Sequence, residues 1–208
     1  MKKVVIACLF VMSILFSACK NEPIATTYHY DLNPQFTWGY AQFYGDYYRN
    51  YNIKNNVLSL NLFTKNLFIN SDKALDGTGQ YLLMEDIFVA PNDTLLPAGT
   101  YKVSETAEPF TFYSGKIFKD KNDEIPSGAY IYFIESDAAR SKIACITGGT
   151  MTISIQNDTI YNIACHFVLD GKDELNGTFS KVLYHFDEHA STPASVKRNT
   201  LKIKRFPF

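Results

Sequence analysis

A chain of 208 residues with 20 basic and 21 acidic side chains, formal net charge −1, lacks the strongly positive balance of a nucleic-acid-binding domain. It is long enough to bury a core without disulfide staples, and its 14 Tyr, 16 Phe and one Trp favour pleated, half-buried strands. Beyond residue 19 no second apolar stretch reaches spanning length, so no transmembrane helix is expected there.

The chain starts with a short positive segment, Met1-Lys2-Lys3, followed by an uncharged apolar run from Val4 to Phe16. That run falls short of the ~20 residues a permanent spanning helix needs, and it has the proportions of a cleaved export signal. Two small residues and a cysteine close it. Leu15-Phe16-Ser17-Ala18-Cys19 resembles the lipobox of bacterial lipoproteins, with Phe16 standing where that motif usually has a small aliphatic residue. The resemblance implies that residues 1–18 are removed and that Cys19 becomes a lipidated first residue. The alternative is an ordinary secretory signal cut near Ala18. Cleavage removes Lys2 and Lys3, leaving 18 basic against 21 acidic residues, a net of −3. It also removes Cys8, so only Cys145 and Cys165 remain as thiols of the fold, in a compartment that permits disulfides. Residues 19–27, polar and containing Pro23, read as a lipidated tether, and residues 28–208 as one antiparallel β domain.

From Phe36 to Tyr51 the sequence alternates. Even positions carry Trp38, Tyr40, Gln42, Tyr44, Asp46 and Tyr48, while odd ones carry Gly39, Ala41, Phe43 and Gly45. Period two places these sets on opposite faces of a strand. Trp38, Tyr40, Tyr44 and Tyr48 are therefore the candidate ligand face, an aromatic platform for sugar rings; the competing reading makes them core residues with hydroxyls at the rim.

Val57 to Phe63 alternates as a clean strand, and Asp76-Gly77-Thr78-Gly79 turns into a further strand, Gln80 to Met84. That glycine turn lacks the Lys-Ser/Thr and following helix of a phosphate loop. Ile87 to Ala90 runs into a turn at Pro91-Asn92-Asp93-Thr94, and a strand restarts through Leu96 to Val103. Phe110 to Phe118 and Ala129 to Glu135 are further strands. The charged stretch between them, Lys119 to Gly128, reads as an exposed loop without the acidic spacing of a calcium loop.

Thr150 to Leu169 is the clearest hairpin, turning at Asn157-Asp158-Thr159. A three-residue loop that keeps both apolar sets on one face pairs Ile155 with Tyr161, Ile153 with Ile163 and Met151 with Cys165. Continued without interruption, this register sets Cys145 opposite residue 171, roughly 20 Å along the strand from Cys165. A disulfide needs Cα atoms within ~7 Å, so two buried free thiols are expected, unless Gly148-Gly149 bends the strand enough to join them. Leu175 to Phe186 and Leu201 to Phe206 complete the strands. The last lies among Lys197, Arg198, Lys202, Lys204 and Arg205, which reads as a basic, aggregation-blocking edge.

No 3.6-residue apolar period follows Cys19. About ten to twelve short strands with turn signals between them predict an all-β fold, a single antiparallel β-sandwich or barrel-like domain.

Little in the sequence carries reaction chemistry. His185-Phe186-Asp187-Glu188-His189 would share a face as metal ligands only on a helix, and it sits at a strand end; no metal or cofactor is expected. No Gly-x-Ser-x-Gly, His-Glu-x-x-His or Cys-x-x-Cys occurs. A hydrolase built on dispersed carboxylates leaves no local signature and stays open.

The lipobox, the aromatic strand-rich body and the stretches Leu96-Pro97-Ala98-Gly99-Thr100-Tyr101 and Gly148-Gly149-Thr150-Met151-Thr152-Ile153 resemble the small all-β lipoproteins of the Bacteroidota, a group largely without assigned activity. Membership would imply an outer-membrane or surface location, membrane attachment through Cys19 and a non-catalytic binding or structural role toward a glycan or envelope protein. A subunit of a fimbria-like or nutrient-uptake assembly is the alternative. Asp93-Thr94-Leu95 and Asp158-Thr159-Ile160 resemble the O-glycosylation sequon of that group, which would make Thr94 and Thr159 glycan acceptors.

Overall fold

The computed structural model describes residues 31–120, 123–135, 141–189 and 202–203. The expected signal, Cys19 with its tether and most of the basic C-terminal stretch lie outside the described residues.

The fold is all-β, as the alternation predicts. Its strands are β1 (Gln35–Gly45), β2 (Asn56–Thr64), β3 (Leu67–Ile69), β4 (Ala74–Gly77), β5 (Gly79–Val89), β6 (Gly99–Val103), β7 (Thr111–Phe112), β8 (Lys116–Asp120), β9 (Asp123–Ser127), β10 (Ala129–Ile134), β11 (Lys142–Gln156), β12 (Ile160–Leu169), β13 (Glu174–Val182), β14 (Tyr184–Asp187) and β15 (Lys202–Ile203). A 3-10 turn, Arg49–Tyr51, lies between β1 and β2.

Most strands belong to one sheet that closes on itself, which decides for a barrel over a sandwich. One circuit runs β10-β11-β12-β13-β1-β2-β5 and returns to β10; a second leaves out β10 and closes β5 to β11 through β7 and β6. A closed circuit must return in its starting direction, so its antiparallel pairs must be even in number. The first circuit meets this with one parallel pair, β1–β13, and the second with two, β1–β13 and β6–β7.

Both closures exist because the two long strands change partner half-way. Residues 79–84 of β5 pair with β10, and Ile87 and Phe88 pair with β7. Residues 142–145 of β11 pair with β10, and residues 150–153 pair with β6. A seam therefore opens in the wall between β10 and β7, and the β8–β9 hairpin leaves the barrel there. The expected loop at Lys119–Gly128 is in fact largely this hairpin, because Ile117, Phe118 and Ile125 give it enough strand character to pair. For the same reason the strand expected over Phe110–Phe118 is broken in two at the seam.

The interior is filled with apolar side chains. Leu58, Leu60, Leu62, Leu82, Ile87, Phe112, Ile131, Ile146 and Met151 are all fully buried in one cluster. The hairpin register agrees with the sequence: Ile155 faces Tyr161, Ile153 faces Ile163 and Met151 faces Cys165. At Gly148 a one-residue bulge shifts the pairing, and Gly149, at φ +98°, passes so close to the His166 carbonyl that a Cβ would collide with it. The bulge exchanges the faces of β11: Ala144 and Ile146 join Met151 inside, while Cys145 turns away from the interior that holds Cys165. Both thiols are buried and unbridged.

Two long strands expected from sequence are shorter. β1 stops at Gly45, whose φ of +62° breaks the extended backbone, so Tyr48 lies in the turn before the 3-10 segment. Leu175–Phe186 divides at Leu183 into β13 and β14; both run parallel to β1, with a one-residue offset between Phe36↔Phe179 and Tyr40↔Tyr184. Of the expected C-terminal strand, Lys202 and Ile203 are described, pairing parallel with β4.

Candidate functional site

β1, β2, β5 and β10 carry a second apolar cluster on the outside of the barrel. Its spine is a ladder of directly paired residues: Trp38 faces Phe63, Phe63 faces Tyr81 and Tyr81 faces Tyr132. Their rings stack at 3.8, 4.5 and 5.6 Å between centroids with interplanar angles of 11°, 10° and 14°. Directly opposed aromatics stabilise a sheet through contacts beyond their area burial. Tyr81 closes the polar side by donating to the buried Asn61 carboxamide oxygen.

The predicted ligand face lies along this side, mostly as packed rings. Trp38 is half-buried, with one ring face on Phe63 and its Nε1–H donating to the Leu67 carbonyl at 2.8 Å. Tyr40 sits between Phe63 and Phe186, and burial, reinforced by Tyr44, raises its pKa above the ordinary phenol value. Tyr44 is buried and touches Tyr47. What the sequence reading missed is β14: it lays Tyr184 beside Tyr40, and both Tyr184 and Phe186 are exposed, at 64% and 51%. The open part of the aromatic side is therefore the Tyr40–Tyr184–Phe186 edge. The alternation of Tyr184 and Phe186 was readable; their place next to Tyr40 depends on a parallel pairing that no local pattern encodes.

Tyr48 leads elsewhere. Its hydroxyl donates to Asp86 Oδ1 at 2.9 Å, and its ring packs near Phe88 and Tyr113. Asp86 stands at a bulge where Met84 pairs with Leu60 and Ile87 with Leu58, so Glu85 and Asp86 together oppose Ser59. Met84 and Ile87 both face the interior. The bulge thus turns two adjacent carboxylates outward at the seam, the re-aiming for which bulges are used beside functional sites. Glu85 secures the seam by accepting the Gly128 N–H at 2.9 Å and the Tyr130 hydroxyl at 3.3 Å. Gly128 has φ +86°, and a Cβ there would lie 2.2 Å from the Ser114 carbonyl oxygen, so the root of the hairpin tolerates no side chain.

Beyond Glu85 the seam widens into a cleft of about 250 Å³ lined by Asp86, Glu105, Tyr113, Lys116, Phe118, Ser127 and Gly128. Asp86 forms its buried wall, at 6% exposed. At the rim, Lys116 Nζ lies 3.3 Å from Glu105 Oε2, and Ser114 donates to the other Glu105 oxygen at 3.4 Å. Burial, with the nearby Asp86 and Glu105 carboxylates, raises the Tyr113 pKa, so this hydroxyl keeps its proton. Phe118, 56% exposed, presents apolar surface on the hairpin side.

No protein-family model, curated protein or solved structure matches this chain.

Thr94 and Thr159 are both exposed, in turns at the end of the barrel opposite the start of β1; Thr159 Oγ1 donates to the Asn157 carbonyl at 3.2 Å. His185 packs on Tyr161 at 5.3 Å and accepts the Leu96 N–H at 3.5 Å, and burial lowers its pKa. Asp187 accepts the His189 N–H at 2.9 Å. Among the described residues no group of three or more His, Cys, Asp or Glu is gathered to hold a metal, and no helix is long and apolar enough to cross a membrane. The cleft residues were missed because they come from separate segments. Only the Glu85-Asp86 pair, interrupting an otherwise apolar strand, was a usable signal.

Proposed function

We propose that the protein is a lipid-anchored envelope module that binds a glycan, without turning it over, through the aromatic outer side of its barrel. Residues 1–18 direct export, Cys19 carries the lipid, and residues 19–27 tether the barrel to the outer membrane or surface of a bacterium of the Bacteroidota type. The observation that carries the binding half is the division of labour in the barrel: its interior is filled by side chains, while exposed rings stand on the outside at Tyr184 and Phe186. Partners are thereby left to the outer surface, where aromatic edges with polar tips suit sugar rings. Thr94 and Thr159, on the turns opposite the start of β1, are the glycan acceptors in this reading.

Two measurements test it. In the host, Cys19→Ser is expected to abolish acyl labelling and move the protein from the detergent to the aqueous phase; unchanged partitioning refutes the anchor. On a glycan array the full chain is expected to bind, and loss of binding in Tyr184→Ala or Trp38→Ala locates the face. Silence across the array, with capture of an envelope protein instead, replaces the glycan by a protein partner. One observation favours a hydrolase instead: Asp86 and Glu105 line the same cleft. Release of nitrophenol from aryl glycosides, abolished by Asp86→Asn, would select that reading.

A further inference from the structure

The seam cleft and the Tyr40–Tyr184–Phe186 edge are separate features of the barrel, and the cleft has the more specific chemistry. We propose that the cleft is a binding subsite for one neutral pyranose unit, built by the β5 bulge and the root of the β8–β9 hairpin; this rests on the glycan-binding reading above and adds a second contact site to the outer aromatic edge.

Size sets the first bound. At about 250 Å³ the cleft falls just below the ~300–1,000 Å³ of pockets for drug-sized ligands, which fits a single ring rather than an extended chain. Charge sets the second. Two carboxylates, Asp86 and Glu105, against the one ammonium of Lys116 leave the lining net negative, which disfavours phosphate, sulfate or a sugar acid. The polar groups set the third. Glu105 and Lys116 form an acceptor and a donor 3.3 Å apart at the rim, matching two vicinal hydroxyls, one donating to the carboxylate and its neighbour accepting from the ammonium. Asp86, held by the Tyr48 hydroxyl, sets a buried negative charge in the cleft wall, and Ser127 adds a hydroxyl that can donate or accept.

The apolar wall completes the match. Phe118 and Tyr113 line the cleft together with these polar groups, and Phe118 is more than half exposed on a hairpin whose other apolar residues, Ile117 and Ile125, are also open to water. A pyranose has an apolar C–H face and an equatorial rim of hydroxyls, so it can cover such a ring while its rim meets the charges. The hairpin brings Lys116, Phe118 and Ser127 into the cleft as one unit, so a ligand touching all of them also fixes the hairpin to β5.

The test uses the full chain in detergent and the methyl pyranosides of glucose, galactose, mannose and N-acetylglucosamine as probes, followed by saturation-transfer NMR and by amide shifts. At least one pyranoside is expected to bind saturably, with transfer strongest at its ring C–H protons. Phe118→Ala and Glu105→Gln, both at exposed positions, are each expected to weaken it at least about fivefold, the scale of losing one stacking or hydrogen-bonding partner, with thermal stability unchanged. Tyr184→Ala is expected to leave this binding intact. Binding abolished by Tyr184→Ala and untouched by the cleft variants overturns the cleft while keeping the glycan reading. Absence of binding by all four pyranosides overturns the cleft as a pyranose site; the glycan reading then falls only if the array is silent as well. Saturable binding of tetramethylammonium in the cleft without any pyranoside overturns the neutral-sugar assignment in favour of a cation.

Discussion

Replacing Phe63 by leucine tests whether the outer aromatic ladder is a structural element or an incidental contact. Phe63 is fully buried and is the second ring of the ladder, stacked on Trp38 at 3.8 Å and on Tyr81 at 4.5 Å. Leucine retains most of the apolar burial and loses both ladder contacts, together with the looser ring contact to Tyr40 at 6.0 Å. At about 0.5–1.5 kcal/mol for each contact beyond area burial, the two ladder contacts give about 1–3 kcal/mol of destabilisation. For a domain of this size that corresponds to a fall in Tm of about 2–12 °C, at about 2–4 °C per kcal/mol. The chain has a single tryptophan, and it is the first ring of the ladder, so its fluorescence reports the substituted contact directly. Unfolding in urea, followed by Trp38 emission and by far-ultraviolet circular dichroism, gives the free energy, and the native emission of Phe63→Leu is expected to be altered as well. Phe179→Leu is the control: Phe179 is equally buried but lies inside the barrel, away from the ladder. If Phe63→Leu costs no more than Phe179→Leu and leaves Trp38 emission unchanged, stacking contributes nothing beyond burial and the ladder is not a stabilising unit.

Further outcomes follow from the same geometry. Tyr81→Phe leaves the buried Asn61 oxygen without its phenol donor and is expected to cost about 1–3 kcal/mol in urea unfolding; a neutral result would mean that water replaces the hydroxyl. Gly128→Ala forces a Cβ against the Ser114 carbonyl at φ +86° and is expected to destabilise by at least about 2 kcal/mol, with loss of amide protection in β8 and β9 before the rest of the barrel. Burial raises the pKa of Tyr81 and Tyr130 above 10.0, so the fold holds them neutral while the unfolded chain ionises. Their contribution is fully present below pH 10 and is lost as pH rises beyond it, at up to about 1.4 kcal/mol per pH unit for each; a urea midpoint that stays flat from pH 9 to 11.5 would contradict their burial. The Cys165 thiol, pushed up to about 12 by burial inside the barrel, and the Cys145 thiol, pushed up to about 11, are expected to react with a thiol reagent at neutral pH only as the chain unfolds.

What could be read directly were the features with a local cause. The 150–169 hairpin was legible down to its residue pairs because a three-residue turn and two alternating strands leave one register that keeps Met151, Ile153, Ile163 and Cys165 on one face. Alternation likewise separated Ala41 and Phe43, which face the interior, from Trp38 and Tyr40, which join the outer cluster. The β8–β9 hairpin was misread as a loop because its charges and proline outweigh three apolar residues in any local count, whereas pairing between its two arms is what makes it strand.

By itself, then, the sequence determined the all-β class, most strand positions and the inside-outside assignment along the alternating stretches of β1, β2 and the 150–169 hairpin, since these depend on side-chain period and backbone sterics within a few residues. Only the tertiary structure decided that the sheet closes as a barrel, that β14 runs parallel beside β1, and that Asp86, Glu105, Lys116 and Phe118 share a cleft. Those outcomes turn on where β5 and β11 exchange partners, and partner choice is set by the packing of the whole interior, a sum over contacts far apart in the chain.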